Sequence, residues 1–298
     1  MVSTAKNGSA ADRFFTHAPG TVIHYRIRGT GPEQVVFVHG FAAALTTWDD
    51  IAPLFPPERF TLYLLDLKGF GFSSKPRRGS YGPEEQAAVL LSFMEATGIG
   101  GATLVGHSLG GGIALLALLM AMDEGRERLV SRLVLIDAAA YPQRLPRFMR
   151  WLKIPLLGRL GMAVVPLRYL VVASLRAVFH DERAITPERI GRYENCFGRR
   201  GMPRVLIGTV RAIDRDGYRA FTDRFGELRL PTLIIWGKED RVVRRECGIR
   251  LREVLPESRL AVIEGCGHNP HEERPRETFA AIMEFLGGNG GGENGRGL

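Results

Sequence analysis

Cysteine is scarce: 298 residues hold three, Cys196, Cys247 and Cys266, odd in number and widely spaced. No metal-ligand spacing surrounds them, which excludes a disulfide scaffold or a zinc ribbon and leads us to expect free thiols in a reducing compartment. Long apolar runs are also missing. The longest candidate, Leu160 to Phe179, is interrupted by Pro166, Arg168 and Arg176, so no membrane span is expected. Met1 to Phe15 is polar and lacks the apolar centre of a secretory signal, which points to a cytoplasmic protein. No internal repeat is visible. Hydrophobic residues make up 45% and charged residues 24%, so the chain is neither disordered nor collagen-like. Its length suits one large α/β domain or two small ones.

Acidic charge is in deficit, with a net charge of +8, and the excess has an address. Tyr141 to Arg224 carries sixteen Arg and one Lys against seven Asp and Glu, which leaves the rest of the chain near neutrality. Such a segment can attract nucleic acid, anionic lipid or an acidic substrate. There is no nucleic-acid fold motif and no basic–aromatic array, so no nucleic-acid partner is expected. The charge reads as a solvated helical face, with weak contact to anionic membranes left open.

Strand and helix patterns alternate along the remainder. Apolar runs at Thr21–Arg28, Gln34–Val38, Thr61–Leu67, Ala102–Val105, Leu133–Ile136, Thr232–Trp236 and Leu260–Ile263 predict strands. Helical spacing predicts helices over Pro83–Ala96, Leu109–Met122, Arg244–Val254 and Pro275–Leu286, the first with Glu84 and Glu85 where the helix dipole favours acids. Short, continuously apolar strands between helices indicate a parallel sheet covered on both faces. Tyr141 to about Phe225 breaks the rhythm: it has helical spacing and no convincing strand. We expect a core at 13–140 and 226–286, a helical insertion at 141–225, and flexible termini at 1–12 and 287–298.

Gly106-His107-Ser108-Leu109-Gly110 has the G-x-S-x-G pattern between a predicted strand and a predicted helix. A sharp strand-to-helix turn strains the backbone at Ser108 and requires small neighbours two positions away, which Gly106 and Gly110 supply. The helix N-terminus then offers unpaired N–H groups beside the hydroxyl. A plain helix cap is the alternative role for Ser108. A serine hydroxyl needs a base. His268 follows an apolar run in the glycine-bounded loop Gly265-Cys266-Gly267 and is the first candidate, with His271 in reserve; His17, His24 and His180 have no supporting context. The base needs an acid to fix its tautomer. Asp240 lies just past one predicted strand and Asp137 just past another, and either could instead cap a helix.

Gly106-His107-Ser108-Leu109-Gly110-Gly111 resembles the nucleophile elbow of the α/β-hydrolase family. His39-Gly40-Phe41 is similar to that family's oxyanion loop, and Asp66-Leu67-Lys68-Gly69-Phe70-Gly71-Phe72-Ser73 to its D-x-x-G-x-G-x-S segment. Trp236-Gly237-Lys238-Glu239-Asp240 and Gly267-His268-Asn269-Pro270 resemble its late acid and histidine segments. The likeness runs in the right order from about Gly20 to Leu286. It implies an α/β-hydrolase fold, a mostly parallel twisted sheet with helices on both faces and a helical cap insertion. It also implies the order Ser108, Asp240, His268 for the triad, with Asp137 as the rival acid because some relatives place it there. It further implies oxyanion donors at the backbone N–H groups of Phe41 and Leu109, and structural roles for His39 and His107.

The resemblance also narrows the reaction. Relatives that open epoxides or displace halide use aspartate at the elbow, where this chain has Ser108. Relatives that cleave vinylogous diketones carry Asn before the nucleophile and Met after it; here these are His107 and Leu109. Proline-specific aminopeptidase relatives show Gly-Gly-Ser-Trp-Gly, unlike this elbow, and perhydrolase relatives share the serine triad. The expectation is a carboxylic-ester hydrolase acting on hydrophobic, short- to medium-chain acyl groups through an acyl-enzyme, with no metal and no organic cofactor. A cap at 141–225 would line the acyl pocket with Phe148, Trp151, Leu152 and Leu156. The alternatives are a carbon–carbon bond hydrolase or lipase on the same triad, or a silent ligand-binding protein.

Overall fold

The computed structural model describes residues 11–142, 164–213 and 221–287. Eight strands form one sheet in the order β1-β2-β4-β3-β5-β6-β7-β8. These are β1 (Asp12–Ala18), β2 (Thr21–Arg28), β3 (Glu33–Val38), β4 (Phe60–Leu65), β5 (Ala102–His107), β6 (Val130–Ile136), β7 (Thr232–Gly237) and β8 (Ser258–Ile263). The pairings β1–β2 and β2–β4 are antiparallel, and all the others are parallel. The eight helices that matter here begin with α1 (Pro83–Ala96), α2 (Leu109–Asp123), α3 (Leu167–Val178) and α4 (Pro187–Phe197). They continue with α5 (Met202–Ile213), α6 (Arg245–Val254), the single turn α7 (Pro270–Glu273) and α8 (Pro275–Gly287).

The period-2 alternation of a strand sorts the central residues onto two faces. Val36 and Val38, Leu133 and Leu135, and Ile234 and Trp236 point to the side covered by α1, α2 and α6. Val35 and Phe37, Val134 and Ile136, and Leu233 and Ile235 point to the other, where Leu45, Trp48, Phe55, Ile282 and Leu286 meet them. Because both faces are covered, β5 and β7 are buried along their whole length and show no polar alternation. Helix α2 is apolar nearly all round for the same reason.

Between β6 and β7 the described residues form helices α3, α4 and α5 and no strand. Val171, Leu175, Phe179 and Ile190 make a small apolar cluster of their own there. The two ends of this segment return to one place, where the rings of Tyr141 and Phe225 pack edge-on with centroids 5.9 Å apart.

Two expected boundaries are corrected. Asp12, assigned to the flexible N-terminus, begins β1, because it pairs with Arg26 in the ladder and its carboxylate accepts the Arg26 Nε hydrogen at 2.7 Å. Gly287, assigned to the flexible C-terminus, is the last residue of α8. Phe148, Trp151, Leu152 and Leu156 lie outside the described residues.

Candidate active site

The C-terminal ends of β3, β5, β6, β7 and β8 come out along one edge of the sheet, where open α/β sheets place their ligands. Ser108 sits at the turn from β5 into α2 with φ 52° and ψ −119°. A non-glycine residue held there costs about 1–3 kcal/mol, a strain that the surrounding packing must sustain. That packing requires glycine at two positions: a Cβ on Gly106 would lie 2.6 Å from the Gly110 carbonyl oxygen, and one on Gly110 would collide with the backbone of Val38.

The Ser108 hydroxyl makes no helix-capping bond. Instead its Oγ lies 2.9 Å from His268 Nε2, and His268 Nδ1 lies 2.8 Å from Asp240 Oδ2. A carboxylate oxygen only accepts, so Nδ1 carries the hydrogen and Nε2 is left as the acceptor facing the hydroxyl. The other oxygen of Asp240 accepts the backbone N–H groups of Val242 and Val243 at 2.7 and 3.1 Å, and so the carboxylate is fixed by its own loop. The side chain of Asp240 is fully shielded from water and that of His268 is only 5% exposed, which strengthens each bond.

The histidine loop is tied down at several points. His268 N–H donates to the Val178 carbonyl at the end of α3 at 2.7 Å. Glu273 accepts the N–H groups of Gly267 at 2.7 Å and His180 at 2.6 Å, and Glu239 accepts that of Cys266 at 2.8 Å. His271, the reserve base, turns away from the serine: its Nε2 meets Thr47 Oγ1 at 2.8 Å and its ring packs on Trp48. Burial keeps the His271 imidazole well below the usual histidine range, and the nearby His268 and Arg189 act in the same direction.

The loop after β3 closes the site from the other side. A Cβ on Gly40 would lie 2.9 Å from His107 Nδ1 and 3.0 Å from Ser108 Cβ, so the backbone leading into Phe41 runs directly against the serine. Among the described residues, neither the Phe41 nor the Leu109 backbone N–H has a hydrogen-bond acceptor. His39 donates Nδ1–H to the Gly40 carbonyl at 2.8 Å and accepts the Leu67 N–H at Nε2 at 3.0 Å, which holds this loop in shape.

Asp137, the rival acid, directly follows β6 and does not contact His268 in the way Asp240 does: its Oδ1 accepts the Gly237 N–H at 3.0 Å. Burial pushes its carboxyl well above the usual carboxylate range, and the neighbouring Asp240 adds to this. Among the described residues, Asp137, Asp240 and His268 are the group whose potential metal-ligating atoms come within 4.8 Å of one another. Two of the three already face each other across the His268–Asp240 hydrogen bond, so the group is organised as acids and base rather than as a set of free donors.

Sequence reasoning gave His24 no role. Its Nδ1 meets Asp66 Oδ2 at 2.6 Å and its Nε2 meets Asp12 Oδ1 at 3.0 Å. Burial pulls this imidazole down, but the two carboxylates outweigh it and the net direction is up. Asp66 also accepts the backbone N–H groups of Leu45 and Phe72 at 2.7 and 2.8 Å, which pins the loop beneath the site. Also unforeseen is a buried cluster that joins α4 to the histidine loop. Arg189 donates to Asp50 at 2.6 Å, to the Glu272 carbonyl at 3.0 Å and to the Ala184 carbonyl, while Tyr193 and Asn269 both donate to Glu272 Oε2 at 2.6 Å.

An eight-stranded, mostly parallel sheet with this turn at the end of β5 defines an α/β hydrolase, and the model of the alpha/beta hydrolase fold family matches residues 34–275. The chain belongs to that family. It is 29% identical over 284 residues to an uncharacterized hydrolase, YugF, of Bacillus subtilis, covering 92% of this chain and 97% of that one. It is 28% identical to a 2-hydroxy-6-oxononadienedioate/2-hydroxy-6-oxononatrienedioate hydrolase of Burkholderia vietnamiensis, covering 89% and 90%. Among solved structures, Cfl2 of Burkholderia cenocepacia superposes with a TM-score of 0.80 at 22% identity over 92% of this chain and 95% of its own. No helix among the described residues is long and apolar enough to cross a membrane.

Proposed function

We propose that the protein is a serine hydrolase of carboxylic esters, acting on hydrophobic, short- to medium-chain acyl groups. The reading is carried by one observation, the unbroken chain from Ser108 Oγ through His268 to Asp240, with bonds of 2.9 and 2.8 Å. Ser108 attacks the ester carbonyl while His268 Nε2 takes its proton. The backbone N–H groups of Phe41 and Leu109 receive the negative charge that builds on the carbonyl oxygen, and loss of one such donor typically costs about 3 kcal/mol of barrier. His268 then gives the proton to the departing alkoxide, leaving an acyl group on Ser108. Water, activated by the same imidazole, releases the acid. Asp240 keeps Nδ1 protonated throughout and stabilises the imidazolium. The segment 141–225 serves as a cap over this edge of the sheet and supplies the apolar lining of the acyl site.

A second reading has a specific observation behind it: the Burkholderia vietnamiensis relative is named as a hydrolase of 2-hydroxy-6-oxononadienedioate, a compound with no ester or amide bond, so that its hydrolysis would have to break a carbon–carbon bond. The same Ser108 and His268 would attack a ketone, and the leaving group would be a carbanion equivalent that the substrate's own conjugation must stabilise. We favour the ester because an alkoxide leaves with one proton from His268 and needs no such electron sink. The flanking His107 and Leu109 also differ from the pattern of the diketone-cleaving relatives.

The deciding measurement compares kcat/KM on p-nitrophenyl esters of increasing chain length with that on a 2-hydroxy-6-oxodienoate, for the wild type and Ser108→Ala. Ester turnover that vanishes in Ser108→Ala and exceeds dienoate turnover supports the ester reading. Faster dienoate cleavage supports the second, and near-wild-type ester turnover by Ser108→Ala rejects both.

A further inference from the structure

Asp137 takes no part in the steps above, yet it is fully buried directly behind them. Its backbone is held at φ 44°, in the left-handed region that Asp and Asn tolerate better than other side chains. One carboxyl oxygen, Oδ1, accepts the Gly237 N–H at 3.0 Å, whereas the other, Oδ2, is buried with no hydrogen-bond partner. Asp137, Asp240 and His268 each bring one ligating atom to within 4.8 Å of the other two. From the histidine loop Glu273 also acts on Asp137, and Asp137 in turn helps push the buried Cys266 thiol up.

Two carboxylates this close and out of water cannot both be ionised at modest cost, so one proton belongs to the pair. The donors decide where it sits. Asp240 receives the N–H groups of Val242 and Val243 and the Nδ1–H of His268. Glu273 receives the N–H groups of Gly267, His180 and Asp181. Asp137 receives one, so its unpaired Oδ2 is the atom with room for a hydrogen.

We infer that Asp137 is a positioning residue: it stays a neutral carboxylic acid at neutral pH and donates its Oδ2 hydrogen to the Asp240 carboxylate, which is thereby held toward His268. The inference rests on the Ser108–His268–Asp240 reading given above. Burial, then the charge of Asp240, favours the protonated form, and the Gly237 amide is the opposing influence. A neutral Asp137 aligns the acid without adding a second negative charge beside the imidazole.

Asp137→Asn in the full chain is the test. The amide NH2 replaces the O–H donor, the amide oxygen keeps the Gly237 N–H, and the left-handed backbone is tolerated. The infrared difference spectrum of wild type minus Asp137→Asn at neutral pH should contain a protonated-carboxyl C=O band. The acidic limb of the kcat/KM profile should stay within about 0.3 pH unit and kcat within about threefold. A missing band overturns the inference, as does an acidic limb moved down by about one unit, the mark of a lost anion. Asp137→Leu removes the donor and should lower kcat by about tenfold or more at little change in KM, with Asn restoring it; a kcat unchanged in Asp137→Leu also overturns the inference. The infrared band needs no turnover. Failure of the serine-hydrolase reading would instead appear as absence of fluorophosphonate labelling at Ser108.

Discussion

His107 donates its Nε2 hydrogen to the backbone carbonyl of His268 across 2.9 Å, so the residue before the proposed nucleophile holds the main chain of the proposed base. The two rings lie 5.0 Å apart between centroids, and the His107 ring also packs on His271 at 4.4 Å. His107→Phe keeps the ring and removes the donor. It should lower kcat by about tenfold with KM nearly unchanged, the scale of one buried hydrogen bond. Steady-state kinetics on one ester would check this, and an unchanged kcat would remove His107 from the argument.

Stability should fall on the acid side because of His107 and His271. Burial depresses both imidazoles well below the usual range, with neighbouring histidines adding to the effect. The unfolded chain protonates them near pH 6.5 and the folded chain does not, so the unfolded state binds more protons and stability is lost as pH falls below that value. The two together amount to at most about 2.7 kcal/mol per pH unit. Urea midpoints measured downward from neutral pH should drop, and His271→Gln should roughly halve the contribution.

Asp137 should show the opposite sign. Its folded carboxyl is raised, so its contribution is fully present below the unfolded aspartate value and is lost as pH rises toward the folded one. Asp137→Asn abolishes this loss. The variant should therefore melt higher than wild type at mildly alkaline pH, and the gap should close near pH 4, about the ordinary aspartate value. A variant that melts lower by the same margin at every pH would contradict the assignment.

Gly110→Ala should destabilise the protein by about 3 kcal/mol, at the upper end for an overpacked site, because the added Cβ meets backbone rather than a movable side chain. The obstacles are the carbonyls of Val38 and, at 2.6 Å, His39. Chemical denaturation would measure it, and a loss below about 1 kcal/mol would mean that the elbow relaxes easily.

Arg189→Met should cost about 3–5 kcal/mol, because Glu272 is left buried without its cation. Burial pushes the Glu272 carboxyl up and Arg189 opposes this. Adding Glu272→Gln should recover part of the loss, which a double-mutant cycle on urea midpoints would reveal.

Much of the sheet was legible because its central strands are buried on both faces and read as unbroken apolar runs. Helix α1 keeps the expected bounds, Pro83–Ala96. Strand β1 was missed for the converse reason: it pairs only with β2 at the sheet edge, and Phe14 is 58% exposed. Strand β6 starts at Val130 rather than Leu133 because pairing with β5 extends it through the polar residues Ser131 and Arg132. Ser108 and His268 carried local marks, glycines at fixed offsets, but β6 and β7 stand between β5 and β8, so their meeting depends on the loop after β8 reaching back along the sheet edge. His24 and Asp66 carried none that linked them: they meet because the Asp66 N–H bonds the His24 carbonyl where β2 runs beside β4. The facing of Asp137 and Asp240 likewise depends on β6 and β7 being neighbours, a fact of topology.

Since the amide of His268 is anchored on the carbonyl of Val178, the last residue of α3, any exchange of this helical segment with that of a relative also replaces a support of the imidazole. Chimeras built to test the proposed role of this segment in substrate preference should join the donor segment before Val178 and keep the native Val178–His180 stretch with its Glu273 clasp. Otherwise altered preference and a misaligned relay will arrive together and be hard to tell apart.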